Sequence, residues 1–72
     1  MKFSFTHHAQ FRIMERGIST DNIKKVLQNP DMQRKDVYGM MIANKKIGAK
    51  FLEVVYKTKG SEYIIITAYY EN

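Results

Sequence analysis

Seventy-two residues, 44% of them hydrophobic and none of them cysteine, allow one small domain and exclude a disulfide framework or a thiolate metal site as a supplement to its core. No apolar run nears the roughly 20 residues of a membrane span and the amino terminus lacks an apolar signal core, so a cytoplasmic chain without membrane contact is expected. Twelve Lys and Arg against seven Asp and Glu leave a net charge of +5, which favours polyanionic partners, nucleic acid first and an acidic protein second.

In chain order, Met1 to Phe5 alternates, with Met1, Phe3 and Phe5 opposite Lys2 and Ser4, and predicts a short edge strand. Thr6 is placed to cap a helix that Gly17 ends. Within it His8, Arg12 and Arg16 fall at roughly 0°, 40° and 80° around the axis, a cationic stripe with Glu15 at its edge. Ala9, Phe11, Ile13 and Met14 take the remaining arc, and Phe11 and Met14 are expected to face a sheet. Ser19 can cap a second helix over Thr20 to Gln28, with Ile23, Val26 and Leu27 inward, stopped by Asn29-Pro30.

Weaker strands are expected over Arg34 to Tyr38 and Met40 to Ala43, around Gly39, with a turn in Asn44 to Gly48. Lys50 to Lys57 alternates, and Tyr63 to Tyr70 is β-branched and aromatic, so these two runs predict a hairpin through Thr58-Lys59-Gly60-Ser61. The reading is a single α+β domain over residues 1–72. It has a short N-terminal strand, two helices, then a three- to four-stranded antiparallel sheet with both helices on one face. A homodimer would add burial to so small a core.

The acids are scattered and His7-His8 is an adjacent pair rather than i, i+4, so neither a metal nor another cofactor is expected. What the stripe suits is metal-free cleavage of an RNA phosphodiester. Such cleavage needs a base for the 2′-hydroxyl, cations for the developing phosphorane charge and an acid for the leaving oxygen. Histidine near neutral pH serves as base or acid, and arginine grips phosphate with two donors. The candidate catalytic residues are therefore His8, Arg12 and Arg16, with Thr67 or Tyr69 of the last strand orienting phosphate or relaying a proton. Lys45, Lys46, Lys57 and Lys59, placed at turns, are candidate nucleic-acid contacts. The plainer reading pairs Arg12 with Glu15 and Arg16 with Glu53 or Glu62, and makes the tyrosines packing residues.

The run His8-Ala9, Arg12, Arg16-Gly17-Ile18-Ser19, followed by a short helix and a strand ending Ile66-Thr67-Ala68-Tyr69, resembles a small bacterial family known as domain of unknown function 4258, over nearly the whole chain. The order of elements is also similar to the sheet-and-two-helix scaffold of the RelE and BrnT toxins, ribonucleases of toxin–antitoxin systems. That resemblance implies a toxin-like metal-independent endoribonuclease with RNA as substrate and an antitoxin as acidic partner. The alternative is a non-catalytic basic module that binds nucleic acid or an acidic protein, such as a phage- or plasmid-encoded inhibitor.

Overall fold

Capping chemistry sets the two helices. In the computed structural model, which describes residues 2–71, Thr6 Oγ1 accepts the Ala9 N–H at 3.0 Å and opens α1 (His7–Arg16). The helix closes at Gly17, whose φ of 65° is the left-handed conformation that favours glycine. There the Gly17 N–H reaches the Met14 carbonyl at 3.2 Å and the Ile18 N–H the Ile13 carbonyl at 3.0 Å. Ile13 and Ile18 enter the core together, and the chain is turned at once into α2 (Thr20–Gln28). Ser19 Oγ accepts the N–H groups of Asp21 and Asn22, and Ile23, Val26 and Leu27 form the buried stripe of α2.

Among the described residues five strands receive the helices: β1 (Lys2–Phe5), β2 (Met32–Lys35), β3 (Met41–Ile47), β4 (Lys50–Lys59) and β5 (Glu62–Glu71). Their order across the sheet is β1-β5-β4-β3-β2. The four later strands are antiparallel to their neighbours, as expected, but β1 lies parallel to β5, so the sheet is mixed. The α+β class and the placement of both helices on one face follow the sequence reading. The chain between the two parallel strands runs through α1, α2 and the strands β2 to β4, well beyond the crossover length that such a pair requires, while the two helices carry it from β1 at one edge of the sheet to β2 at the other.

Boundaries in the middle of the chain depart from expectation. β2 starts at Met32 and ends at Lys35, because Asp36 Oδ1 accepts the N–H groups of both Tyr38 and Met40 and folds 36–39 into a turn. β3 runs on to Ile47, so Lys45 and Lys46 are strand residues and the turn is Gly48-Ala49. β4 likewise extends through Lys57 to Lys59. Of the N-terminal strand, Met1 lies outside the described residues.

The core joins Ala9, Ile13 and Ile18 to Ile23, Val26 and Leu27, over Ala43, Leu52, Val54, Tyr56, Ile65 and Ala68 of the sheet. Phe11 and Met14 are absent from it, 62% and 81% exposed, which corrects the expected rotation of α1. Ala9 and Ile13, at roughly 100° and 140° on the same scale, are the positions the sheet covers. A narrow contact suffices here because Ala9 lets the helix approach closely and Ile18 completes its apolar surface.

One irregularity matters for everything downstream. Val55 pairs with Thr67 but Tyr56 pairs with Ile65, so Ile66 is an extra residue, a β-bulge in β5. Ile65 and Ala68 therefore share the helix-covered face although they are three apart. Strict alternation from Ile65 would have sent Thr67 and Tyr69 under the helices. The bulge instead turns them to the open face, opposite Val55 and Glu53.

Candidate nucleic-acid interface

The stripe forms, in a particular setting. Arg12 and Arg16, at roughly 40° and 80°, border the buried arc of α1 rather than opposing it, and Arg16 reaches the edge of the sheet. β1 pairs only with Glu62 to Ile65 of β5, and beyond Ile65 this edge of the sheet has no neighbouring strand among the described residues. Arg16 fills that gap: its Nη1 donates to the Ala68 carbonyl at 2.8 Å and lies 3.5 Å from Thr67 Oγ1. The guanidinium thus takes the place of a strand partner, and it joins two of the expected site residues, Arg16 and Thr67. The carboxylate partners considered for it are engaged elsewhere, since Glu53 meets Arg34 and Glu62 accepts from Ser4.

Arg12 is paired as its i, i+3 spacing suggested, with Nη1 3.0 Å from Glu15 Oε1 and both side chains well exposed. Its guanidinium also stands 6.0 Å from the Phe11 ring centre. An ion pair this open contributes about 0–1 kcal/mol and yields readily to a stronger anion. His8 is exposed at the first turn. Along the axis it is about 12 Å from Arg16 but only about 6 Å from Arg12, so the imidazole can share a ligand with Arg12 and not directly with the docked Arg16.

Tyr69 belongs to a different group. On the open face its hydroxyl donates to Glu53 Oε2, and the other carboxylate oxygen lies 3.5 Å from Arg34 Nη2. Glu53 is only 3% exposed although no helix covers it, whereas Arg34 remains largely in water. The hydrogen bond to the carboxylate, with burial adding to it, pushes the Tyr69 hydroxyl up to about 12, so it stays a donor. Tyr69 is thereby fixed in orientation and is a poor candidate for relaying protons near neutral pH. Asn44 shares this row, and its buried Oδ1 has no partner among the described residues.

The four lysines do not form one group. Lys45 reaches the Asn29 carbonyl at the end of α2 at 3.0 Å and Asp31 at 3.6 Å, a structural brace. Asp31 in turn accepts the Lys46 N–H at 2.9 Å, which holds its carboxyl below the usual range, with Lys45 helping. Lys46 pairs with Phe51 on the open face, while Lys57 and Lys59 lie toward the opposite end of β4. Phe51 and Lys59 are eight positions apart, about 27 Å of strand.

Arg34 and Glu53 are the pair that sequence reading missed as a site. Glu53 stands out as an acid between Leu52 and Val54 in the most apolar alternating run, but its partner is visible only once β2 and β4 are in register on either side of β3. The candidate site residues lie within a single family match. A model described as a domain of unknown function (DUF4258) covers residues 5–70. The chain belongs to that family. No curated protein and no solved structure matches it. Among the described residues of this DUF4258 chain no helix is long and apolar enough to cross a membrane.

Proposed function

We propose that this DUF4258 chain is a metal-independent endoribonuclease of the toxin-like kind, acting on RNA phosphodiesters along the flank of α1. The observation that carries the reading is Arg16 docked on the free edge of β5 beside Thr67, with Arg12 and His8 following at one-turn intervals. On this reading Arg12 exchanges Glu15 for the scissile phosphate, Arg16 and Thr67 steady the chain beside it, and Tyr69 holds the strand that carries Thr67. His8 takes the 2′-hydroxyl proton or supplies the one the leaving group needs. The O2′–P bond forms as the P–O5′ bond breaks, leaving a 2′,3′-cyclic phosphate and a 5′-hydroxyl. The likeness in element order to RelE and BrnT toxins supports the reading at the level of scaffold only.

One observation favours a second reading, a non-catalytic RNA-binding module. Tyr69 is committed to Glu53, which leaves the exposed His7-His8 pair to supply both acid and base. Incubation with end-labelled RNA in EDTA separates the two. Cyclic-phosphate ends that vanish with His8→Ala are expected, whereas intact RNA, or equal cleavage by that variant, overturns the ribonuclease.

A further inference from the structure

The helix-free face of the sheet carries a pattern that the flank of α1 does not explain. Arg34, Ile42, Val55 and Thr67 lie on one cross-strand row, and Arg16 touches Thr67, so two guanidinium groups bracket two apolar side chains. Three strand spacings put the β2 and β5 ends of that row about 14 Å apart. Alongside it runs Met32, Asn44, Glu53 and Tyr69, and then Lys46, Phe51 and Glu71. Phe51 is 40% exposed on this face, although the open face needs no large apolar group to seal a core. The Tyr69 ring, diagonal to it, is held by its bond to Glu53, and the same carboxylate anchors Arg34.

We propose that this open face binds single-stranded RNA across the strands, with a base stacked on Phe51 and the backbone held between Arg34 and Arg16. The inference rests on the RNA reading above but not on cleavage. Charge complementarity selects a polyanion, since the cations Arg16, Arg34 and Lys46 outnumber the acids Glu53, already bonded to Arg34 and Tyr69, and Glu71 beside Phe51. The exposed aromatic ring selects unpaired bases, whose faces are available only in a single strand, over a duplex or an acidic peptide. Glu53 is then a positioning residue: it fixes one guanidinium and one ring without touching the ligand.

Fluorescence anisotropy with a 2′-O-methyl oligonucleotide of about ten residues tests this, because such a strand binds but has no 2′-hydroxyl to attack. Phe51→Ala should weaken binding about tenfold with an unchanged salt slope, and Phe51→Tyr should restore it. Arg34→Gln should lower the log–log salt slope by about 0.7, one phosphate contact, with circular dichroism confirming the fold. Equal affinity of Phe51→Ala and the parent, equally tight duplex binding, or displacement by polyglutamate regardless of Phe51 would each overturn the platform. Those outcomes leave the His8 cleavage assay unaffected, so the two readings fail separately.

Discussion

Leu52 and Glu53 are consecutive in β4 and almost equally hidden from water, yet by opposite means. Leu52 is covered by the helical layer, in apolar contact with the shared core. Glu53, on the bare face, is covered by the Tyr69 hydroxyl it accepts from and by Arg34. Apolar burial is non-directional and holds the fold together, whereas a buried carboxylate is tolerated only with its partners in place and so fixes their orientation. The covered face accordingly carries stability, and the open face carries polar side chains held in fixed orientation.

The sharpest way to break that comparison is to truncate neighbours on β4. Leu52→Ala should cost about 2–5 kcal/mol in urea unfolding, a large part of the stability of so small a domain, while Phe51→Ala should cost less than about 1. Similar losses at both positions would mean that the open face holds the fold together as well. Next in size is Glu53→Ala, expected to cost about 1–3 kcal/mol through the stranded Tyr69 hydroxyl, with the Tyr69 titration returning toward its ordinary value. An unchanged ultraviolet titration of Tyr69 in that variant would show that Glu53 does not control it.

A pH series sharpens the same contrast. Tyr69 holds its proton more tightly folded than unfolded, so its contribution is complete below about pH 10 and is lost as pH rises from there through about 12. The parent should therefore lose stability over that alkaline range more steeply than Tyr69→Phe, and parallel curves would contradict the assignment. The smallest effect concerns α1. Phe11→Ser should change stability by no more than about 0.5 kcal/mol, because the ring is in solvent; a loss of about 3–5 would mean that the helix is rotated as its composition alone suggests.

Much of the molecule is legible in the sequence because its signals are local. Thr6, Gly17, Ser19 and Asn29-Pro30 each act within one turn of their own position, so both helices were placed to within a residue. The Arg12–Glu15 pair is likewise a matter of helical spacing. β4 and β5 were readable from alternation and β-branched composition. The Lys45 and Lys46 turn was misplaced because the charged end of β3 looks like loop until Asp31 ties it to the preceding connection.

What only the tertiary structure decided are the relations between distant residues. The rotation of α1 depends on which side fits closest to β5, and Ala9 with Ile13 wins over the larger Phe11 and Met14 because close approach and the Ile18 corner outweigh ring area. The parallel placement of β1 leaves part of the β5 edge open, and Arg16 finds the Ala68 carbonyl there instead of an acid. The bulge at Ile66 sends Thr67 and Tyr69 to the open face, and strand order brings Arg34 to Glu53 across β3. Local sequence determines elements and caps because those interactions close within a few residues. Register, helix rotation and the partners of each charge are set by contacts between residues far apart in the chain, and these exist only once the layers have packed.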